Sequence, residues 1–373
     1  MICVIADDIT GAAEIAGIGL RFGLKVRLVM NTRLLPKDCD LLVYATDTRS
    51  LSEEEAITQS TKLVQILKRS GIKNIFKKVD SALRGHLTAE LQPFLEAGLF
   101  KQALLIPQNP SKGRVIKEGM YYINDTPLHE TSFKDDPEFP AESSEVHSFL
   151  KGNKHFTIAN AIGIQEIEEH TASLTPDTLP AGGADFFVCY LKSAYKDFRV
   201  HPLISLLPRI NRQPQQILGN KDALIVCGST MKHNLSTYPY MIRKNIPFCN
   251  MPQEVFEGGS PDKWISELKE LYATSRSLLL MINHPPRKGK EFALRLKGVL
   301  TESVIALLKE HFPDELIIEG GATAYAILTA MQCCQFTVKE EISPGVIRLI
   351  SSDIPKLPII MKPGSYEWGD TFI

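Results

Sequence analysis

Residues 75–86 read IFKKVDSALRGH and join a short apolar run to a dense cluster of charged and polar side chains. The first two residues fit the end of a buried strand. In an open α/β sheet, ligands bind outside the carboxyl ends of the strands. Lys77, Lys78 and Arg84 can neutralise a carboxylate or a phosphate, and Arg84 can do so with a two-pronged hydrogen bond. The stretch therefore predicts an anion-binding site at a sheet edge, with a solvated turn as the alternative.

The same layout occurs twice more near the start of the chain. The apolar run 2–6 is followed by Asp7 and Asp8, and the apolar run 41–45 is followed closely by Arg49. Parallel strands end at one edge of their sheet, so we expect these groups to share one site. Taken alone, the two aspartates would also suit the N-terminus of a helix.

Composition and charge narrow the class of protein. The 373 residues are 44% hydrophobic and 23% charged, which is ordinary for a globular protein. A formal net charge of −1 gives no basic field and argues against a general nucleic-acid binder. The seven cysteines show neither a CxxC pair nor a Cys/His metal spacing, so we expect buried thiols in a reducing compartment. We expect no signal peptide, no membrane span and a cytoplasmic protein.

Strand-like and helix-like segments alternate along nearly the whole chain, which predicts an α/β fold with mostly parallel sheets. The length allows two domains, and residues 207–221 are the best linker. We therefore predict domains at 1–215 and 220–373, each a mostly parallel sheet flanked by helices, with the active site in the cleft between them. Thr10 is the predicted N-cap of the first helix, and Ser52 to Glu55 forms a capping box before another.

Three segments of the second half place glycines where a strand meets a turn or helix. They are LIVCGST at 224–230, ELIIEGGATAYAIL at 315–328 and IIMKPGSYEWGD at 359–370. Glycines allow close backbone approach, and a helix N-terminus offers free amides to an anion. Glycines at such turns more often serve packing, and neither Walker A nor GxGxxG is present. The segments together indicate a nucleotide site without establishing one.

The chain resembles the four-carbon acid sugar kinases, a family once known only as a domain of unknown function. The matching motifs run in the same order from one end of the chain to the other. They are ADDITGA at 6–12, TDTRS at 46–50, KKVDSALRG at 77–85, a P-x-x-GR element ending at Arg114, PLHETSF at 127–133, Gly228-Ser229, GGATA at 320–324, Pro344-Gly345 and the K-x-G element at 362–364.

This resemblance implies an ATP-dependent kinase of a four-carbon sugar acid of the threonate, erythronate or 3-oxo-tetronate type. The N-terminal domain would bind the acid and the C-terminal domain ATP, with Mg²⁺ held largely by phosphates and water. The implied substrate site, to which the charge pattern adds Arg84, comprises Asp8, Arg49, Lys78, Val79, Asp80 and Ser81. The implied nucleotide site comprises Ser229, Gly320, Gly321, Ala322, Thr323 and Gly364. The residues that would contact the metal are not specified.

Two departures from the family pattern bear on ATP use. The family usually has an acidic residue where this chain has Ala322, and Glu319 is the only nearby substitute that we identified. The family often has a Gly-Phe-Gly stretch where this chain has residues 365–368, SYEW. One alternative is therefore a catalytically silenced protein that binds sugar acid and nucleotide.

For phosphoryl transfer, a carboxylate must orient the attacking hydroxyl. Asp80 is the first choice for this role and Asp8 the second. A Mg²⁺-dependent phosphatase with an aspartyl nucleophile ranks last, because adjacent aspartates on a strand would point to opposite faces. The expected partners are a small sugar acid and ATP, with no nucleic acid and no membrane. A homo-oligomer, the identity and stereochemistry of the acid, and the phosphorylated hydroxyl stay open.

Overall fold

The computed structural model describes residues 1–136, 139–194, 221–228, 238–285, 287 and 289–364. The chain divides into two compact units, Met1–Leu206 and Leu207–Ile373. The predicted domain boundary at 215–220, and all of the predicted linker except its last residue, lie outside the described residues. The predicted α/β class and the two-domain organisation are confirmed.

The N-terminal unit contains a parallel sheet and a small antiparallel one. Its strands are β1 (Ile2–Ala6), β2 (Val26–Val29), β3 (Leu41–Ala45), β4 (Ile75–Lys78), β5 (Gln102–Ile106), β6 (Arg114–Lys117), β7 (Met120–Ile123), β8 (Thr126–Pro127), β9 (Phe156–Ile158) and β10 (Thr178–Gly182). Within this unit the parallel strands lie in the order β2-β3-β1-β4-β10-β5-β9, and β6-β7-β8 form the antiparallel sheet. Its helices are α1 (Ile9–Arg21), α2 (Glu53–Ser70), α3 (Leu87–Glu96), α4 (Ile164–Ala172) and α5 (Ala184–Ala194).

Apolar runs and helix caps account for these elements. β1 and β3 are buried along their whole length, as expected of strands covered by helices on both faces. The predicted capping box of Ser52 and Glu55 is present at the start of α2. The predicted N-cap Thr10 is wrong. Asp8 is the N-cap of α1, and Thr10 lies in the first turn, where its hydroxyl donates to the Asp8 carboxylate.

The strands of the parallel sheet end level with one another. Ala6 of β1 pairs with Ala45 of β3 on one side and with Lys78 of β4 on the other. Lys78 pairs in turn with Gly182 of β10. The residues that follow β1, β3 and β4 are therefore neighbours at the carboxyl edge, as the sequence predicts.

A hairpin interrupts the alternation of strands and helices after β5. Lys117 of β6 pairs with Met120 of β7, so only two residues form the turn. These residues, Glu118 and Gly119, have φ of 51° and 77°. Positive φ at both central positions is the geometry of a type I′ turn, which matches the twist of the flanking strands.

The C-terminal unit is a mostly parallel sheet flanked by helices. Its strands are β11 (Ala223–Cys227), β12 (Phe248–Asn250), β13 (Leu278–Met281), β14 (Glu315–Glu319), β15 (Gln335–Ser343), β16 (Val346–Ser351) and β17 (Pro358–Lys362). Its helices are α6 (Pro239–Arg243), α7 (Gln253–Glu257), α8 (Asp262–Ser275), α9 (Lys290–Leu308) and α10 (Gly321–Ala330). Among the described strands, the order is β12-β13-β11-β14-β17-β16-β15, with antiparallel pairing only at β15-β16 and β16-β17.

The thiols agree with the expectation from the sequence that they are buried. The seven cysteines are free, and Cys334 alone among them is more than slightly exposed. Among the helices that the structure describes, none has both the length and the apolar character that crossing a bilayer requires.

Candidate active site

Asp8 begins the candidate site at the point where β1 turns into α1. Its carboxylate accepts a hydrogen bond from the Gly11 amide at 2.9 Å and one from the Thr10 hydroxyl. A Cβ at position 11 would lie 2.7 Å from Asp8 Oδ1, so the glycine leaves room for the carboxylate. The cap therefore fixes Asp8 at the positive end of the helix dipole.

Arg49 connects the three strand ends. Its guanidinium donates to Asp7 Oδ2 from Nε at 2.8 Å and lies 2.7 Å from the same oxygen through a terminal nitrogen. That terminal nitrogen also lies 3.2 Å from Asp8 Oδ1 and 3.4 Å from Asp80 Oδ1. The expectation that Asp7 and Asp8 point to opposite faces is wrong, because β1 ends at Ala6 and both carboxylates reach one guanidinium.

The electrostatics differ among these carboxylates. Burial raises the pKa of Asp7, and Arg49 only partly offsets that effect. Burial also opposes ionisation of Asp8, but Arg49 and the Thr10 hydrogen bond outweigh it and lower the pKa of Asp8. Burial opposes ionisation of Asp80 as well, but Arg49 and Arg84 outweigh it and lower the pKa of Asp80 well below its usual range. Asp8 and Asp80 are therefore ionised at neutral pH.

Asp80 is held by the loop that follows β4. Its Oδ2 accepts from the amides of Ala82 at 3.0 Å and Arg84 at 3.3 Å, and from Arg84 Nε at 3.0 Å. Its Oδ1 accepts from a terminal nitrogen of Arg84 at 2.9 Å. The loop closes through Leu83 and Gly85, which have φ of 60° and 93°. Donors thus surround the Asp80 carboxylate on most sides.

Arg84 also contacts the segment that follows the antiparallel sheet. A second terminal nitrogen donates to Asp136 Oδ2 at 3.1 Å, and the guanidinium lies 5.2 Å from the centre of the Phe133 ring. Arg84 therefore joins the loop after β4 to a part of the chain about fifty residues away in sequence.

Lys77 and Lys78 take different places, although the sequence suggests that both handle an anion. Lys77 is buried and forms an ion pair with Glu90 of α3, with 2.8 Å between Nζ and Oε2. The Thr48 hydroxyl donates to the same Glu90 oxygen at 2.8 Å. Adjacent residues of a strand point to opposite faces. Both lysines are buried, and Lys77 still lies close enough to Asp7 to act on the pKa of that carboxyl, so its role with an anion stays a prediction.

Lys78 lies on the α1 side, with Glu14. Its Nζ donates to the carbonyl of Val79 at 2.9 Å and lies 3.7 Å from Glu14 Oε2. Lys112 reaches the other Glu14 oxygen at 2.5 Å. A Cβ at Gly11 would lie 3.5 Å from Lys78 Nζ, which places this ammonium beside the Asp8 cap.

Sequence reasoning on the charged strand ends missed two residues of the small antiparallel sheet. Arg114, which begins β6, donates to the Ser81 hydroxyl, and Tyr121 of β7 donates to the Ser81 carbonyl. The signal for Arg114 is its place in the P-x-x-GR element. Tyr121 is fully buried, and burial raises its pKa far above the usual range. Its neutral hydroxyl therefore serves as a hydrogen-bond donor.

The C-terminal unit aligns the glycine-bearing ends of three neighbouring strands. Cys227 of β11 pairs with Glu319 of β14, and Glu319 pairs with Lys362 of β17. Gly228, Gly320 and Gly364 follow these residues within one or two positions. Ser229, the remaining predicted residue at the end of β11, lies outside the described residues.

Gly228 and Gly320 meet at the start of α10. A Cβ at Gly228 would overlap the side chain of Thr323, and Gly320 has φ of 103°, which disfavours a side chain. Gly321, Ala322 and Thr323 form the first turn of α10, whose amides have no partner inside the helix. Ala322 is exposed at the second position of this turn. Backbone amides with little side-chain cover can hold phosphate oxygens.

Glu319 does not reach this surface. Its carboxylate is fully buried, lies 3.1 Å from Lys362 Nζ and accepts from the Tyr238 hydroxyl at 3.2 Å. Lys362 also donates to the carbonyl of Pro363 at 3.1 Å. The buried ion pair ties the end of β14 to the end of β17. Glu319 is therefore poorly placed to replace the acidic residue that the family has at position 322.

Within the described residues, no group of three or more His, Cys, Asp or Glu side chains is arranged to hold a metal ion. The three aspartates at the N-terminal site surround Arg49 instead, which supplies the positive charge there.

The family comparisons fit these two sites. Residues 2–189 match the model of a sugar-binding N-terminal domain, and residues 259–370 match that of a nucleotide-binding C-terminal domain. The chain is 30% identical to a D-threonate kinase of Bordetella bronchiseptica over 99% of its own length and 95% of the relative. It is 21% identical to a 3-oxo-tetronate kinase of Pseudomonas fluorescens over 99% of its length and 94% of the relative.

A solved structure supports the fold. A Haemophilus influenzae protein, described as belonging to a domain family of unknown function, superposes with a TM-score of 0.70 at 18% identity. The match covers 100% of this chain and 98% of that one. Motifs, domain models and a full-length relative at 30% identity agree. The chain therefore belongs to the four-carbon acid sugar kinases, a family of phosphotransferases.

Proposed function

We propose that this protein is an ATP-dependent kinase that phosphorylates a hydroxyl of a four-carbon sugar acid. The observation that carries the proposal is the cluster of Asp8, Arg49 and Asp80 at one strand-end edge of a sugar-binding domain. Ionised carboxylates suit a polyhydroxylated substrate and the orientation of its hydroxyl. Full-length relatives named D-threonate and 3-oxo-tetronate kinase support this substrate class.

The proposed acid site keeps the residues expected from the sequence, Asp8, Arg49, Lys78, Val79, Asp80, Ser81 and Arg84. We assign the orienting carboxylate to Asp8 rather than to Asp80, the first choice from the sequence. An ionised carboxylate has about four lone-pair sites, and donors from Ala82 and Arg84 occupy those of Asp80. Asp8 is more exposed, at 18% against 9% for the Asp80 side chain, so a substrate hydroxyl can reach it more easily. Asp80 then holds Arg49 and Arg84 in place.

The proposed nucleotide site consists of Ser229, Gly320, Gly321, Ala322, Thr323 and Gly364. The exposed first turn of α10 suits the phosphates of ATP, because its amides and the helix dipole favour an anion. The Thr323 hydroxyl lies beside Gly228, so the two strand ends can contribute together. Phosphate binding through the backbone makes an acidic side chain at position 322 dispensable.

We expect Mg²⁺ to accompany ATP and to neutralise charge on the phosphates during transfer. In kinases this ion often keeps several waters and is bound through one or two carboxylates plus the phosphates. That mode of binding does not need a cage of protein ligands. A cytoplasmic location and a homo-oligomer stay predictions.

The two alternatives make different demands. A silenced binding protein would bind ATP and the acid without turnover, as Ala322 suggested. A phosphatase would need an aspartate free to attack phosphorus. Asp7 is buried against Arg49. Asp8 is held in place as the N-cap of α1 by Gly11 and Thr10, which suits accepting a substrate hydroxyl better than moving to attack phosphorus.

A coupled assay of ADP release tests the proposal. Threonate and erythronate, in both stereochemical series, and 3-oxo-tetronates are each supplied with ATP and Mg²⁺. We expect at least one acid to raise ADP release well above the acid-free background. No acid-dependent release, together with measurable binding of both ligands, would instead support the silenced binding protein.

A further inference from the structure

Most cations near the proposed acid site form ion pairs with carboxylates of the protein itself. Arg49 faces Asp7, Asp8 and Asp80 within 3.4 Å. Arg84 forms a two-pronged pair with Asp80. A guanidinium whose charge is already balanced attracts an incoming anion weakly. These two arginines are therefore better suited to shaping the site than to binding a carboxylate.

The nearby lysines also form ion pairs with carboxylates of the protein. Lys77 pairs with Glu90 at 2.8 Å and is buried. Lys78 and Lys112 share Glu14, at 3.7 Å and 2.5 Å. The net charge that these groups present to a ligand is accordingly small.

Arg114 differs from all of these cations. Within the part of the chain that the structure describes, no carboxylate lies within ion-pair distance of its guanidinium. One terminal nitrogen donates to the Ser81 hydroxyl, and the guanidinium lies 5.7 Å from the centre of the Phe133 ring. The other nitrogens keep their donor capacity, because a guanidinium has five N–H groups.

The fold holds Arg114 firmly. Its amide donates to the Asn109 carbonyl at 3.1 Å, and it pairs with Ile123 across the β6-β7 hairpin. Gly113, directly before it, turns the chain with φ of 67°. The Arg84 guanidinium also packs over the Phe133 ring, 5.2 Å from its centre, so the ring helps to fix both guanidinium groups. A side chain fixed in this way loses little entropy when it binds a ligand.

We infer that Arg114 is the residue that recognises the carboxylate of the sugar acid. The inference rests on the proposed function and adds a binding residue from the small antiparallel sheet. Ser81 orients the guanidinium, whose remaining edge can donate two parallel hydrogen bonds to a carboxylate. The carboxylate end of the substrate then lies towards Ser81 and Arg114, which leaves its hydroxyls for Asp8. The residue thereby separates sugar acids from neutral four-carbon sugars.

Calorimetric titration of matched acid and neutral ligands tests the inference. The ligands are threonate and erythronate, together with their primary amides, which keep every hydroxyl but lack the negative charge. Arg114→Gln should weaken binding of the acid by about 10- to 100-fold, since a hydrogen bond to a charged group is lost. It should change binding of the amide less than about threefold. Arg114→Lys keeps the positive charge but loses the two-pronged hydrogen bond, so its affinity for the acid should lie between those of the wild type and Arg114→Gln.

Lys117→Gln is the matched control, because it removes one positive charge from the exposed end of the same strand. It should bind acid and amide like the wild type, and melting curves should show that the variants fold. Equal weakening of acid and amide by Arg114→Gln, or no weakening of either, overturns the inference. Binding of the acid that responds to Arg114→Gln without any ADP release would overturn only the proposed function. If the wild type releases ADP with the acid and Arg114→Gln binds that acid as tightly as the wild type, only the inference is overturned.

Discussion

Asp8 and Asp80 are carboxylates at neighbouring strand ends that differ in how far donors surround them. Asp80 accepts from the amides of Ala82 and Arg84 and from the Arg84 side chain. Asp8 accepts from one amide and one hydroxyl, and a terminal nitrogen of Arg49 lies 3.2 Å from its Oδ1. A general base needs room for the proton that it accepts, so the more open carboxylate is the better candidate.

Asp8→Asn should lower turnover by about 10²- to 10⁴-fold, the usual contribution of a positioned acid–base group. The helix should persist, because Asn is about as good an N-cap as Asp. Steady-state kinetics would measure turnover, and calorimetry would show that the acid still binds within about tenfold. Turnover near that of the wild type would return the role to Asp80.

Asp80→Asn should act mainly on stability. Breaking a buried ion pair by removing one partner costs about 3–5 kcal/mol, and Arg84 would lose its two-pronged acceptor. Asp177→Asn is the control, since its pair with Lys101 is exposed and worth about 1 kcal/mol at most. Denaturant midpoints followed by circular dichroism would compare the two. Equal midpoints for both variants would contradict a structural role for Asp80.

Asp80→Asn should also change how the stability of the protein depends on pH under acidic conditions. The pKa of Asp80 is lowered in the folded protein, so its stabilising contribution is present above the ordinary pKa of about 3.9. That contribution is lost as pH falls below this value, because the unfolded chain takes up the proton first. Melting temperatures between pH 3 and 7 should therefore fall more steeply for the wild type than for Asp80→Asn. Parallel curves would show that Asp80 is not the group responsible.

Single residues also show what the sequence could and could not predict. Charge after apolar runs located Asp8, Arg49 and Asp80, because parallel strands end together. The same pattern did not reveal that Lys77 forms an ion pair with Glu90 of α3, because that contact depends on tertiary packing. Arg114 joins the site only through tertiary packing on Ser81, which local charge patterns do not reveal.

At the scale of elements, apolar periodicity and turn chemistry predicted the strands well. The runs ending at Ala6 and Ala45 are β1 and β3, and the segment before the paired glycines is β14. Helix starts were less predictable. Thr10 is a good N-cap by type, yet Asp8 takes the position because its carboxylate reaches the Gly11 amide. The choice between two capping residues depends on backbone conformation, which the sequence does not give.

The contact between β11 and α10 offers a test at this scale. A Cβ at Gly228 would overlap Thr323, so Gly228→Ala should push the start of α10 away from the end of β11. We expect nucleotide affinity to fall by at least about tenfold, because the displaced amides no longer converge on the phosphates. Calorimetric titration with ATP measures the change.

Gly298→Ala in α9 is the matched control within the same unit. A Cβ there would meet nothing within 4 Å, so alanine is accommodated and should stabilise the helix by about 0.5–1 kcal/mol. Its nucleotide affinity should equal that of the wild type. A Gly228→Ala protein that binds ATP normally would exclude this strand end from the nucleotide site.

At the scale of the whole molecule, the chain combines two units with different ligand chemistry. The N-terminal unit presents side-chain carboxylates and guanidinium groups at its strand ends. The C-terminal unit presents glycines and helix amides instead. This difference predicts that the two ligands can be lost one at a time by substitutions in one unit or the other.

Arg49→Lys and Gly364→Val test this division of labour. Arg49→Ala would leave three carboxylates without their shared cation, so lysine is the better substitution because it keeps the charge and loses the fork. Arg49→Lys should weaken binding of the acid by about tenfold, because lysine cannot hold Asp7, Asp8 and Asp80 together at the strand ends, and should leave ATP binding unchanged. Gly364→Val should weaken ATP binding and leave the acid unaffected, since a branched side chain blocks backbone approach to phosphate. Titration of each ligand into each variant separates the effects, and loss of ATP binding in Arg49→Lys with normal binding of the acid would reverse the assignment of the two units.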